Sequence, residues 1–263
     1  MPTDHSVRGT RTDHWSASQF QTWDLCPTTY RERYIDGVAQ DVTEAMYFGS
    51  SIHHALETHY LGGYGDQAFK SMWLKFPGAH LERWAQLGGV GLHLLGAVVD
   101  LNLKGEPEIE FCLDTVEPWL KPTIGFMDLV DHAGRRIYDF KTTIGTWGEG
   151  RANQDPWQPT LYRWAMLRET GDLYDFSYVT LNKRTLEVAT IEPTVEYYAR
   201  WSEILEAGRM IAQMDAQGAY PCRGGHGTCP ECAGQWQHGH VCNWELAPPR
   251  IHIRPKIDAE AQA

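Results

Sequence analysis

The stretch GFMDLVDHAGRRIYDFK, from Gly125 to Lys141, decides the fold of this chain. Asp128 and Asp139 each lie within a short apolar run, and a polar segment that ends in Gly134 separates the two runs. Short apolar runs on either side of a polar, glycine-containing segment predict two adjacent antiparallel strands. We expect Gly134 to supply the positive φ that a tight hairpin turn requires.

Three charged residues of this hairpin are predicted to share one face of the sheet. Asp139 and Lys141 are two positions apart and therefore project to the same side of their strand. Asp128 meets that face if the strands pair in register. Two carboxylates beside an ammonium on a half-buried sheet are unfavourable unless something binds there. Such oxygen ligands suit Mg²⁺ or Mn²⁺, although each residue taken singly is also typical of a surface charge on an amphipathic hairpin.

The composition narrows the class of protein. The chain has 263 residues, 42% of them hydrophobic, which suffices for one large domain or for a core domain with an added lobe. Its net charge of −11 argues against a broad basic surface for nucleic acid. Candidates for a local basic groove are Arg31, Arg33, Lys183 and Arg184. The sequence shows neither an apolar run of about 18 residues, as a membrane span needs, nor the apolar core of a signal peptide, so we expect a cytoplasmic protein.

Helices are predicted before the hairpin. Residues 1–14 are polar, and we expect them to be disordered. The helix that follows is capped by Ser16 or Ser18. A further helix within residues 47–60 carries His53 beside its apolar stripe, with a glutamate one turn further on, which is a common arrangement around a metal ion.

Residues 61–105 are predicted to form a helical insertion, and its longest helix is predicted to break at Gly88-Gly89. Strands are predicted at about 109–115, 123–131, 135–141, 174–181 and 185–191, and later helices at about 155–168 and 195–214. Glu110, on the strand before the hairpin, is placed to share the hairpin's charged face. Gln158 and Tyr162 lie one helical turn apart, so that they either face the site or belong to an ordinary half-buried helix surface.

The C-terminal segment, residues 218–263, is predicted to bind a metal. Four cysteines fall within 21 residues: Cys222, Cys229, Cys232 and Cys242. Thiols stay reduced in the cytoplasm, so metal binding is favoured over disulfides. One interpretation is a zinc site built from these thiols, with further candidate ligands in His226, His238 and His240. The other is an iron–sulfur cluster held by the last three cysteines and the distant Cys26.

Five short motifs are specific in their combination and order. They are SASQFQTWDLCP from Ser16, GSSIH from Gly49, GFMD from Gly125, DFK from Asp139 and QPTLY from Gln158. On these motifs the chain, from about residue 15 to residue 242, resembles the PD-(D/E)xK nucleases. It resembles in particular the RecB-like branch, which includes the CRISPR-associated exonucleases and many phage exonucleases.

The resemblance implies a fold and a set of site residues. The implied fold is mixed α/β, a restriction-endonuclease-like core at 15–217 whose central mixed β-sheet is flanked by helices in the order α-β-β-β-α-β. The implied metal ligands are His53, Asp128, Asp139 and the backbone carbonyl of Phe140. The implied catalytic and DNA-contacting residues are Lys141 as the catalytic lysine, Gln158, Tyr162 and, on a looser match, Glu110.

The resemblance also implies cofactors, an activity and partners. Several members close a [4Fe-4S] cluster with one N-terminal and three C-terminal cysteines, which matches Cys26 with Cys229, Cys232 and Cys242. The extra thiol of Cys222 leaves structural Zn²⁺ as the alternative. We expect a Mg²⁺- or Mn²⁺-dependent DNA exonuclease that acts on single strands or ends in recombination, repair or CRISPR spacer processing. It acts either as a stand-alone nuclease or as a subunit of a recombination or CRISPR adaptation complex. The alternatives are a non-catalytic nucleic-acid-binding adaptor with the same fold and a structure- or sequence-specific endonuclease.

Overall fold

The computed structural model describes residues 13–38, 42–76, 82–114, 121–153, 157–194 and 200–221. The strands are β1 Glu106–Leu113, β2 Thr123–Asp131, β3 Arg136–Thr143, β4 Asp175–Asn182 and β5 Val188–Ile191. The helices within the same ranges are α1 Ala17–Leu25, α2 Pro27–Tyr30, α3 Glu44–Tyr60, α4 Gly65–Trp73, α5 Glu82–Asp100, α6 Glu149–Ala152, α7 Trp157–Thr170 and α8 Trp201–Gln217. A π-helical turn, Arg31–Ile35, follows α2.

The strands form one mixed sheet in the order β1-β2-β3-β4-β5. Strands β3 and β4 pair in parallel, whereas the other neighbours pair antiparallel. A parallel pair needs a crossover connection, and here the chain passes through α6 and α7 between β3 and β4. The predicted mixed sheet flanked by helices, with α7 between the third and fourth strands, is therefore confirmed.

Apolar side chains cover both faces of the sheet and form two core clusters. The first cluster packs α1, α7 and α8 against one face through residues such as Phe20, Leu161 and Ile211. The second packs α3, α4 and α5 against the other face through residues such as Ile52 and Phe69. The central strands are thus covered on both sides, as strands with long apolar runs require.

Within the second cluster, two tryptophans join α4 to α5. The indoles of Trp73 and Trp84 stack with centroids 3.5 Å apart, and each Nε1–H donates to the other residue's carbonyl, at 3.1 and 3.2 Å. The predicted break at Gly88-Gly89 is wrong, since α5 continues through both residues. The glycine at 88 provides space instead of a turn, because a Cβ there would lie 3.0 Å from Trp73 Nε1.

The N-terminal motif is joined to the start of β2. The amide of Trp15 donates to the Pro122 carbonyl and the amide of Ile124 donates to the Trp15 carbonyl, both at 2.8 Å. Ser16 then caps α1 by accepting a hydrogen bond from the Gln19 amide at 3.3 Å. Of residues 1–14, which were predicted to be disordered, residues 1–12 lie outside the described residues, whereas His14 is described and buried. Residues 222–263, which hold the tail cysteines, also lie outside the described residues. Of the helices that are described, none is long and apolar enough to cross a membrane.

The hairpin turn between β2 and β3 differs from the prediction in one respect. Arg135, not Gly134, has the positive φ, at 49°. Gly134 is needed for a close approach: its amide donates to Asp131 Oδ1 at 2.8 Å, and a Cβ on it would lie 2.5 Å from Asp131 Oδ2. The aspartate at the start of the turn therefore determines where the glycine must stand.

Strands β2 and β3 pair only next to this turn. Their register joins Asp131 to Arg136, Val130 to Ile137 and Leu129 to Tyr138, and no pair follows these within either strand. Beyond that point β2 pairs with β1 and β3 pairs with β4. The sheet therefore forks immediately before Asp128 and Asp139.

Two glycines of α5 give a test of the packing between α4 and α5. A Cβ at Gly91 would clash with three ring carbons of the buried Phe69, two of them at 2.7 and 2.9 Å, whereas a Cβ at Gly96 meets nothing within 4 Å. We expect Gly91→Ala to destabilise the protein by about 1–3 kcal/mol through overpacking. Gly96→Ala should stabilise it by about 0.5–1 kcal/mol through helix propensity. Urea denaturation measures both, and equal effects of the two substitutions would contradict the described packing.

Candidate active site

The fork in the sheet brings together side chains from both layers of helices. Asp128 comes from β2, and Asp139 and Lys141 come from β3. Helix α3, from the second cluster, supplies His53, and α7, from the first cluster, supplies Gln158. The side chains sit in the opening that the separated strands leave between the two layers.

Asp128 contacts α3 and β3 at the same time. Its Oδ1 lies 3.2 Å from His53 Nδ1, and its Oδ2 accepts the amide hydrogen of Phe140 at 2.7 Å. Because the fork removes the strand partner that this amide would otherwise have, the carboxylate satisfies it. Burial by itself would lower the pKa of His53, but the Asp128 carboxylate and its hydrogen bond raise that pKa to about 9. Burial by itself would raise the pKa of Asp128, but His53 holds it below its usual value.

Asp139 is buried, with 1% of its surface exposed. Its Oδ2 forms an ion pair with Lys141 Nζ at 2.8 Å, and its Oδ1 accepts from Gln158 Nε2 at 2.6 Å. Burial, together with the neighbouring charge of Asp128, raises the pKa of Asp139 to about 7, although Lys141 acts in the opposite direction. The predicted convergence of Asp128, Asp139 and Lys141 is present in the structure.

Gln158 joins the lysine, the aspartate and Tyr162. Lys141 Nζ donates to Gln158 Oε1 at 2.8 Å, which orients the amide so that its Nε2 faces Asp139 and the Tyr162 hydroxyl, the latter at 2.8 Å. Burial, followed by the charges of the two aspartates, raises the pKa of Tyr162 well above 10, so the phenol is neutral. The pair predicted one turn apart on α7 therefore does face the two strands.

Glu108 is a site residue that the sequence reasoning missed. The pairs Pro107–Leu129 and Ile109–Met127 put Glu108 opposite Asp128 in the β1–β2 register. Its φ of 53° is left-handed, which breaks the alternation of β1 at this point. Glu110, the acid chosen from the sequence, lies on the exposed side of the strand. Register could have found Glu108, because it lies directly across from the aspartate of the GFMD motif.

Three of these side chains fit a divalent cation. One ligand atom each from His53, Glu108 and Asp128 lies within 4.8 Å of the others, which is a spacing that six-coordinate ligands around one small cation can adopt. Asp139 adds a buried carboxylate whose Oδ2 makes the ion pair with Lys141 but no hydrogen bond. The carboxylate ligands suit Mg²⁺ or Mn²⁺, whereas the imidazole of His53 also suits transition metals such as Zn²⁺. Ligation by the Phe140 carbonyl stays a prediction.

Cys26, a predicted cluster ligand, lies near the C-terminal end of the described chain. This cysteine is fully buried at the junction of α1 and α2. Two residues later, Thr28 Oγ1 donates to the carbonyl of Tyr220 at 2.8 Å. The described chain ends one residue after Tyr220, and therefore ends near the junction of α1 and α2 that holds Cys26. The four tail cysteines and the tail histidines lie outside the described residues.

The predicted basic groove is not formed by its four candidates together. Arg31 pairs with Asp36 at 3.0 Å and lies over the ring of Tyr220, which packs on the first cluster. Lys183 Nζ lies 5.0 Å from the ring centroid of Phe48, in the second cluster. The two cations therefore belong to opposite faces of the sheet.

Comparison with known proteins identifies a common fold and a family. No curated protein sequence matches the chain. A crystal structure of a candidate exonuclease from Eubacterium rectale superimposes with a TM-score of 0.63 over 90% of each chain at 14% identity, which shows a common fold. The structure of the protein SSO0001 matches with a TM-score of 0.33 over 75% of this chain and 85% of its own, also at 14% identity. The family model of the PD-(D/E)XK nuclease superfamily matches residues 14–237, and the chain therefore belongs to that superfamily.

Proposed function

We propose that the protein is a Mg²⁺- or Mn²⁺-dependent DNA exonuclease that acts on single-stranded DNA or on DNA ends. The observation that supports this most directly is the convergence of Asp128, Asp139 and Lys141 at the fork, with His53 and Glu108 beside them. The superfamily supplies the reaction class, hydrolysis of a nucleic acid.

Phosphodiester hydrolysis places additional negative charge on a group that is already anionic. A divalent cation bound by His53, Glu108, Asp128 and Asp139 would lower the pKa of a bound water and stabilise the charge of the transition state. The chain itself provides a further positive charge, the ammonium of Lys141. Asp139 and Gln158 hold the Lys141 ammonium from two sides at 2.8 Å, so its positive charge is fixed beside the carboxylates without reorganisation. From there Lys141 can orient the attacking water or contact the scissile phosphate.

Exonuclease activity is favoured by the resemblance to RecB-like exonucleases and by the solved structure named for that activity. A non-catalytic adaptor is the rival from another class. The intact network of Lys141, Asp139 and Gln158 argues against it, because a protein that only binds DNA has no need of a buried ion pair of this kind. We also propose that the protein acts in recombination, repair or spacer processing, within a protein complex.

Cleavage assays on linear and circular single-stranded DNA test the function. We expect linear DNA to be degraded in Mg²⁺ or Mn²⁺ and circular DNA to persist, because an exonuclease requires an end. Lys141→Ala should lower the rate by about 10²–10³-fold, since it removes a preorganised charge, and Asp139→Asn should act in the same direction. Asp175→Asn, an exposed carboxylate on β4, is the control. Cleavage of the circle would indicate an endonuclease, and binding without cleavage would favour the adaptor.

The assignment of Glu108 can be tested without an activity measurement. A ligand that binds only the native state raises the melting temperature, so Mn²⁺ should stabilise the wild-type protein by several degrees. Glu108→Gln should reduce this shift. Glu110→Gln, on the same strand but exposed, should leave it unchanged. Equal shifts in the two variants would remove Glu108 from the metal site.

We further propose that Cys26, Cys229, Cys232 and Cys242 hold a [4Fe-4S] cluster, with structural Zn²⁺ as the alternative. The burial of Cys26 and the hydrogen bond from Thr28 to Tyr220 support the proximity that such a cluster requires. Protein purified without oxygen should contain iron and absorb broadly near 400 nm, as iron–sulfur proteins do. Cys26→Ser should lose iron, whereas Cys112→Ser, at an exposed free thiol, should keep it. Colourless protein with stoichiometric zinc would decide for the alternative.

A further inference from the structure

The segment that follows β3 is anchored beside the site. Residues 144–148 connect β3 to α6. The carbonyl of Gly145 accepts hydrogen bonds from Asn182 Nδ2 and from Thr143 Oγ1, both at 3.2 Å. These bonds hold the segment against the end of β4, so that the residues after it have a defined position relative to Lys141.

Trp147 in this segment is linked to Lys141 through one aromatic ring. Its indole packs edge-to-face against Tyr178 with centroids 4.7 Å apart. Tyr178 is the parallel partner of Asp139 in the sheet, and its ring centroid lies 5.9 Å from Lys141 Nζ. Trp147 and Lys141 therefore contact the same ring. The tryptophan is only half-buried and keeps part of its surface toward solvent.

Arg151 extends the surface of Trp147. Its guanidinium carbon lies 5.2 Å from the indole centroid, in a cation–π contact, and the side chain is exposed. Among the residues that the structure describes, no carboxylate pairs with this guanidinium. In a chain with a net charge of −11, an exposed cation on this tryptophan is a local exception to the overall negative charge.

We propose that Trp147 and Arg151 form a platform that binds the nucleotide next to the scissile phosphate of single-stranded DNA. The inference rests on the proposed function and adds a substrate-binding site to it. An unpaired base stacks on the indole, and the guanidinium contacts the adjacent phosphate. A paired base in a duplex does not expose its face, so the platform selects single strands. It tolerates every base, because each base has a π-face.

Binding of oligonucleotides with single abasic sites tests the platform. Affinities are measured in EDTA, where no cleavage occurs, for single strands that carry one abasic site at successive positions from the end. In the wild-type protein, one or two positions should lose roughly 5- to 150-fold in affinity, the effect of one lost stack. Trp147→Leu keeps apolar volume against Tyr178 but has no aromatic face. It should bind intact DNA with a loss of the same size and show no further loss at those positions.

Matched variants separate stacking from folding defects. Trp147→Phe should restore the abasic pattern, and Trp201→Leu, a half-buried tryptophan on α8, should bind like the wild type. Arg151→Ala should lower the slope of log affinity against log salt by about 0.7, the contribution of one phosphate contact on single-stranded DNA. Arg151→Lys should keep that slope.

The outcomes distinguish the platform from the enzymatic activity. An abasic pattern that is the same in Trp147→Leu and the wild type, or equal affinity for single- and double-stranded DNA, would overturn the platform while cleavage by the wild type would still support the nuclease. The same holds if the wild type cleaves but shows no abasic pattern. Conversely, the expected pattern without cleavage would support the platform and refute the catalytic proposal.

Discussion

The structure depends on keeping two carboxylates close together inside the fork of a β-sheet. Asp128 and Asp139 lie beside each other on neighbouring strands, and like charges at such a distance repel strongly where water is scarce. The molecule relieves this with two cations from separate places, His53 on α3 and Lys141 on β3. The pKa of Asp139 nevertheless remains raised, to about 7. A divalent cation would remove the remaining repulsion, so the unfavourable electrostatics of the two carboxylates and their suitability for metal have the same cause.

This constraint explains why both helical layers are needed. His53 can face Asp128 only if α3 is held against the sheet. The stacked indoles of Trp73 and Trp84 join α4 to α5, the two helices that pack with α3 in the second cluster. From the other layer, α7 presents Gln158, whose amide accepts from the lysine and donates to Asp139. A buried ion pair is stable only when its remaining hydrogen-bonding capacity is satisfied. Helices on both faces of the sheet, α3 with α4 and α5 on one and α7 on the other, are therefore needed to stabilise the charges of the site.

The sequence predicted the parts of this arrangement that follow from local periodicity. Residues two apart on a strand, Asp139 and Lys141, and residues four apart on a helix, Gln158 and Tyr162, share a face in the structure as expected. The errors occur where long-range geometry overrides periodicity. Glu108 was missed because the strand was predicted to begin at residue 109, whereas β1 begins at Glu106, and because periodicity does not reveal the left-handed φ of Glu108. The helix break at Gly88-Gly89 was wrong because glycine there makes room for an indole, which the local sequence does not reveal.

The charge of the chain limits how it can bind its substrate. With a net charge of −11, the long-range field repels a polyanion, so attraction has to come from short-range contacts at the site. In the proposed binding mode, a bound cation, Lys141 and Arg151 supply the positive charge, and Trp147 supplies stacking, which does not depend on charge. Few phosphate contacts imply a weak dependence of binding on salt compared with a basic DNA-binding protein. In the proposed binding mode, the protein would select its substrate by whether the bases of the strand are unpaired and within reach of the fork, more than by attraction to nucleic acid in general.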